Sequence, residues 1–201
     1  VILSSIIREV SNQEPTDLRI RYRSEPLTDA DVLGLFLDKL EDQFNRIEQF
    51  WKIRNNAPQA FLPSVITEGD NRKSDTFMKL GLESGSVDLV LTSPPYGTAL
   101  PYIDTDRLSL LFIMGLKSSE RKPVENGLIG SREISTVERR RLEQIELREV
   151  LPSGSQHFIS TMQRELASDL SAGFRKRNMP ALMVRYLLDM SASLGQAKRL
   201  L

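Results

Sequence analysis

Two consecutive prolines, Pro94 and Pro95, directly after an apolar run constrain this chain's possible folds more than any other feature. Val87, Leu89, Val90 and Leu91, bounded by Gly85-Ser86 and the prolines, predict a short interior parallel strand. Neither proline can donate a backbone hydrogen bond and each holds φ near one value, so no strand continues through them. Thr92-Ser93-Pro94-Pro95-Tyr96-Gly97 then reads as a stiff loop at the strand's carboxyl end, where open α/β sheets place their ligand sites. A hydroxyl, two fixed carbonyls and an aromatic ring fall within four residues. That set suits a flat ring carrying an amino group.

The rest of the chain reads mainly as helix. Residues 1–10 resemble the last turns of one, and 18–23 alternate as a short strand or arm with Arg19, Arg21 and Arg23 on one face. Thr28 with Asp31 suggests a capping box opening a helix to about Ile53, with Leu33, Phe36, Leu37, Leu40, Phe44, Ile47 and Trp51 as its core face. A short strand over 64–67, a turn at Gly69-Asp70 and a helix from Ser74 to Leu80 precede the strand at 86–91. Residues 105–116 predict a helix capped by Thr105, and 117–134 a polar, turn-rich stretch. Ser135 with Glu138 opens a helix to about Val150, another covers 155–171, and a last one runs from Pro180 to about Leu200. No internal repeat, heptad array or low-complexity tract stands out. The chain starts inside an apolar run at Val1 and ends at Leu201 without a cap, so both ends read as cut from something longer.

Bulk properties narrow the function. Lys and Arg number 27 against 27 Asp and Glu, so any nucleic-acid contact has to be a local patch. The absence of cysteine excludes disulfides and thiolate metal sites and fits a reducing, cytoplasmic setting. One histidine, His157, rules out a histidine-rich metal centre and reads as a surface or packing residue. Asp104 and Asp106 lack an evident third ligand, so no metal is expected. No stretch approaches the roughly 18–20 apolar residues of a membrane span, and no signal peptide opens the chain.

The strand followed by Thr-Ser-Pro-Pro-Tyr-Gly resembles motif IV of the S-adenosylmethionine-dependent amino-methyltransferases, which methylate cytosine N4 or adenine N6 in DNA. The likeness extends to Ile66-Thr67-Glu68-Gly69-Asp70 followed by Val87-Asp88-Leu89-Val90, which looks like that family's strand-Gly-Asp, helix, strand unit. Tyr102 to Arg107 and Gly130-Ser131-Arg132-Glu133 look like segments of one bacterial branch. The match covers about 64–110 well and 127–185 loosely. It implies a base flipped out of DNA as substrate, S-adenosylmethionine as cofactor, and DNA methylation of the restriction-modification kind. The serine form implies cytosine N4 over adenine N6.

Ser93, Pro94, Pro95 and Tyr96 are then the catalytic residues. An exocyclic amine is a poor nucleophile because its lone pair is delocalised into the ring. Acceptors opposite its two hydrogens, the Ser93 hydroxyl and the Pro94 carbonyl, favour a pyramidal nitrogen with an available pair. The diproline sets those acceptors in advance, and Tyr96 can stack on the extruded base. By resemblance Asp70, with Gly69, contacts the cofactor's adenine; otherwise Asp70 is a turn residue ahead of the helix at Ser74. Arg175, Lys176 and Arg177 could track DNA phosphates or form a solvated loop.

One part of the family pattern is missing. The glycine-rich cofactor loop after a first strand is not visible, and Gly127 and Gly130 follow no strand. A complementing polypeptide could supply it, and alone the chain should bind S-adenosylmethionine poorly. An RNA guanine-amino methyltransferase and a non-catalytic binding module are the other readings. The expected fold is α/β: a partial Rossmann-like methyltransferase, helix-rich with a short parallel sheet. Residues 1–201 form one partial domain, divided into a helical 1–60, a strand-helix-strand 61–116 with the catalytic loop, and a helical 117–201.

Overall fold

The computed structural model describes residues 2–17, 21–58, 64–98 and 102–201. Ten helices appear among them: α1 Ile2–Ile6, α2 Val32–Asn56, α3 Ser74–Met78, α4 Tyr102–Thr105, α5 Arg107–Phe112, α6 Ser118–Gly127, α7 Thr136–Glu143, α8 Leu147–Val150, α9 Ser153–Ser168 and α10 Phe174–Leu200. They fall into two compact units, one of residues 1–65 with 101–122, the other of 66–100 with 123–201. No described helix is long and apolar enough to cross a membrane.

The expected parallel sheet, and with it the α/β Rossmann-like class, is overturned. Among the described residues the β pairing is an isolated antiparallel bridge between Gln13 and Tyr22, and the molecule is helical. The runs at 64–67 and 86–91 are not strands, and the second bends at Asp88. Ile66, Leu89 and Leu91 are 94%, 75% and 92% exposed, so they are not sheet interior. Two short runs cannot support a free-standing sheet, and a helix end claims the second one. The last carbonyls of a helix have no partner within it. Gly85 N–H donates to the Arg199 carbonyl at 3.1 Å and Val87 N–H to that of Leu200 at 3.0 Å. Gly85 reaches this position at φ +71°, which glycine tolerates without strain.

In the first unit α1 packs against α2, with Ile6 and Ile7 buried. The Ser4 and Ser109 hydroxyls share a 2.7 Å hydrogen bond, and Arg8 donates to the Thr105 carbonyl. Arg23 holds the 9–23 segment closed through bonds to the carbonyls of Ser11 and Glu9, at 3.0 and 2.9 Å. Residues 18–20 of the expected arm lie outside the described residues. α2 begins at Val32, because Asp31 itself is the cap, accepting from Gly34 N–H at 2.8 Å; Thr28 is not. Its apolar face, read above as core, contains no buried residue.

The second unit is organised by α10. Leu142 of α7, Ile159 of α9, and Ala181 and Val184 of α10 form its buried cluster, with Ile134, Ile145, Leu147, Met183, Leu187 and Leu188 against it. The capping box at α7 is present: Ser135 Oγ accepts from Glu138 N–H at 3.1 Å. α7 stops at Glu143 rather than Val150, and α8 is a separate turn. α10 starts at Phe174, six residues before Pro180, so the basic stretch 174–178 is helix instead of connector. A proline at that depth costs an intrahelical bond. Tertiary contacts offset it: Arg139 donates to the buried Asn178 side chain at 3.2 Å, and Pro180 is itself buried. The polar 117–134 stretch contains α6, where Lys117 N–H donates to the Glu120 carboxylate at 2.8 Å.

The core therefore lies on α10 rather than at the Val87–Leu91 run. Leu142→Ala should lower unfolding free energy by about 2–4 kcal/mol through loss of burial plus a cavity. Leu89→Ala, which a buried strand would not tolerate, should cost no more than about 0.5 kcal/mol. Urea titration of the two variants measures both.

Candidate functional site

The diproline corner stands at a cleft of about 500 Å³ in the second unit. Thr92, Pro94 and Pro95 line one side with Val90 and Leu91, and Met190, Leu194 and Ala197 of α10 line another. The apolar run thus serves as a cleft wall instead of a sheet strand. Ser93 and Pro94 are exposed, and Tyr96 is 66% exposed.

Contacts from α10 and Gly130 fix the corner. Tyr186 of α10 donates its hydroxyl hydrogen to the Pro95 carbonyl at 3.0 Å. Gly97 lies so close to the same ring that a Cβ there would sit 3.0 Å from it. Thr98 N–H donates to the Gly130 carbonyl at 3.2 Å, and Thr98 Oγ1 contacts Met179 Sδ at 3.3 Å. Thr98 has φ +59°, an uncommon conformation for a β-branched residue that these neighbours hold in place. Gly130 has φ +81°, and a Cβ on it would lie 2.7 Å from the Tyr96 carbonyl oxygen. Gly130-Ser131, a pair with no assigned role in the sequence, is therefore the motif's backing. Arg185, buried on α10, anchors that pair by donating to the Ser131 carbonyl at 2.6 Å and to Glu138 at 3.3 Å.

Asp70 is differently engaged. Its Oδ1 accepts from Arg72 N–H at 3.0 Å and Arg72 Nε at 2.8 Å, and its Oδ2 from Arg72 Nη2 at 2.9 Å. Arg72 also donates to Asp189 of α10 at 2.8 Å and to the Gly127 carbonyl at 3.0 Å. The result is an ionic tie from the 70–73 turn to α10. The side-chain bonds from Arg72 hold the Asp70 carboxyl below its ordinary 3.8, against the opposing effect of partial burial. Asn71, the next residue, lines the cleft. Gly69 gives room to α3: a Cβ there would meet the Thr76 side chain at 2.3 Å, and Thr76 Oγ1 donates to the Asp70 carbonyl.

Arg175, Lys176 and Arg177 are exposed in the first turn of α10. Lys176 donates to Asp169 at 2.7 Å; this bond, with that from the Ser171 hydroxyl, holds the Asp169 carboxyl at about 2. Arg177 donates to the Ala172 carbonyl at 2.7 Å and caps the preceding turn. Among the described residues no group of three or more metal-binding side chains occurs. Tyr186, Arg185 and Arg72 were missed by sequence reading. Tyr186 and Arg185 lie far along the chain from what they hold, and Arg72, two residues from Asp70, takes its tie to α10 from the distant Asp189.

The residues present do not fit a complete S-adenosylmethionine site. Arg72 occupies three of the roughly four acceptor sites of Asp70, and among the described residues no glycine-rich loop follows a strand. No family model, curated protein sequence or solved structure matches this chain.

Gly130→Ala should lose about 1–3 kcal/mol, because the new Cβ meets a backbone oxygen and the left-handed conformation favours glycine. The Tyr96 ring signals in an NMR spectrum should shift with it. Asp70 adds a pH dependence. Its folded value is depressed, so its contribution to stability is full above about pH 4 and is lost as pH falls through the lowered value. The stability gap between the native protein and Asp70→Asn should therefore shrink on acidification below about pH 4, measured by urea unfolding across that range.

Proposed function

We propose that this chain supplies the base-holding corner of a DNA amino-methyltransferase, with cytosine N4 preferred over adenine N6 as the acceptor. The observation that carries the reading is the Thr92–Tyr96 corner: Thr92, Pro94 and Pro95 line a cleft, Ser93 and Tyr96 are exposed without lining it, and Tyr186 and Gly130 brace the turn. Ser93 Oγ and the Pro94 carbonyl accept from the two hydrogens of the exocyclic amine. Nitrogen then pyramidalises and its lone pair becomes available. Because the diproline and Tyr186 hold the acceptors beforehand, little reorganisation is left for the reaction. Tyr96 stacks on the extruded base, and Arg175 at the start of α10 contacts phosphate.

S-adenosylmethionine, when bound, supplies an electrophilic methyl group. The residues described above do not form its cradle. In this proposal its glycine-rich loop comes from a complementing polypeptide, and the chain alone binds the base but not the cofactor.

The test is an NMR titration of the chain with an oligonucleotide carrying one unpaired cytosine. The Tyr96 ring signals should shift, and Ser93→Ala should weaken binding about five- to tenfold, the worth of one hydrogen bond. An oligonucleotide with N4,N4-dimethylcytosine, which has no amine hydrogens and so loses both bonds, should bind more weakly to the native chain than cytosine does to Ser93→Ala. Equal binding of the two bases would overturn the proposal. In the complemented enzyme, Ser93→Ala and Tyr96→Ala should each lower methyl transfer more than about tenfold with folding unchanged.

A further inference from the structure

The cleft beside the diproline corner is left free by the base-holding face. Ser93 and Tyr96 do not line it, whereas Thr92, Pro94 and Pro95 form part of its wall. The other walls carry Phe77, Val90, Leu91, Ile129, Met190 and Leu194. At about 500 Å³ it falls among ordinary small-molecule sites, which span about 300–1,000 Å³.

Apolar walls separated by water gain stability by closing on one another. Here ties to α10 set their separation. Gly85 and Val87 donate their N–H groups to the Arg199 and Leu200 carbonyls at the helix end. The Tyr186 hydroxyl holds the Pro95 carbonyl at 3.0 Å. Arg72 bridges Asp70 to Asp189, next in the chain to the lining residue Asn71. The cleft is therefore preformed. Leu91 and Leu194 remain 92% and 55% exposed, so their apolar surface is left for an occupant to cover.

The lining selects the occupant. Aliphatic side chains dominate it, and Phe77 supplies its aromatic ring. Among the described residues Lys198 is the one charged side chain in the lining, with neither aspartate nor glutamate beside it there. No ion pair among the described residues engages its ammonium group. The Arg199 and Leu200 carbonyls do not claim it either, because they already accept from Gly85 and Val87. A lone cation on an aliphatic cleft attracts an anionic head group and repels a cationic one.

We propose that the cleft binds an amphipathic monocarboxylate, a medium-chain fatty acid. Its alkyl chain lies along Val90, Leu91, Met190 and Leu194, and its carboxylate meets Lys198. The chain then takes apolar wall out of water, while the two charges stay at the solvent edge and avoid a large desolvation cost. The assignment needs the cleft alone and does not rest on base recognition at Ser93.

Calorimetric titration with dodecanoate, below its micellar range, should show one site of micromolar affinity. Decanoate should bind about tenfold more weakly, because two fewer CH₂ groups are buried. Dodecyltrimethylammonium, whose head group is cationic, should bind weaker than dodecanoate by about tenfold or more. Lys198→Glu should weaken dodecanoate binding about five- to tenfold. Leu194→Glu, which places a carboxylate on the apolar wall, should weaken it by more than about tenfold. Both side chains are exposed, so far-UV circular dichroism should not change. Phe44→Glu, on the exposed face of α2, should bind dodecanoate as the native chain does, which separates the cleft from other apolar surface. Ser93→Ala should also leave dodecanoate binding unchanged, so failed cytosine recognition in that variant does not touch this assignment. No saturable binding, equal binding of the cationic amphiphile, insensitivity to Lys198→Glu and Leu194→Glu, or loss of binding in Phe44→Glu or Ser93→Ala would each overturn the proposal.

Discussion

A buried guanidinium on α10 orders the second unit. Arg185 is almost wholly removed from water, where an unpaired charge costs several kcal/mol. It is satisfied by the Ser131 carbonyl and Glu138, so the 130–131 backbone is held against α10 and α7 is held beside it. From there the constraint propagates by contact. The Gly130 carbonyl takes the Thr98 N–H, its missing Cβ leaves space for the Tyr96 carbonyl, and Tyr186, one residue on from Arg185, fixes the Pro95 carbonyl. The corner proposed to hold a base is rigid because of a helix it does not adjoin in sequence.

The same helix explains why an apolar run can be held in place without becoming a strand. α10 has a carboxyl end whose carbonyls need donors, and the 85–87 backbone provides them. Past Val87 the chain leaves the helix end and forms one wall of the cleft. Val90 and Leu91 line it opposite side chains of α10, so their apolar character still has a use outside a sheet. Arg72, bonded to Asp70 and Asp189, ties the other side of this unit to α10 in the same manner.

Local chemistry was legible wherever the cause is local. The Ser135-Glu138 box opens α7 as its spacing predicts, because the cap and the amide it satisfies are three residues apart. Reading failed where a competing contact, local at α2 and distant at α10, overrode the expected one. Thr28 looked like a cap, but Asp31 reaches the Gly34 amide first. Residues 174–178 looked like a basic connector, but Asn178 bonded to Arg139 draws them into α10. The α2 row looked like core because periodicity reports that a face is apolar, not what covers it.

By itself, then, the sequence determined the stiff diproline corner, its hydroxyl, carbonyls and ring, the long amphipathic helices and the absence of thiol chemistry. These follow from covalent structure and neighbours within a few residues. Only the tertiary structure decided that the apolar run at 87–91 is a cleft wall rather than a sheet strand, that Asp70 belongs to Arg72, and that the α2 row is open. The cleft wall depends on Arg199 and Leu200, and the anchoring of the Asp70–Arg72 pair on Asp189, all far along the chain, and no spacing rule connects residues that only folding brings together.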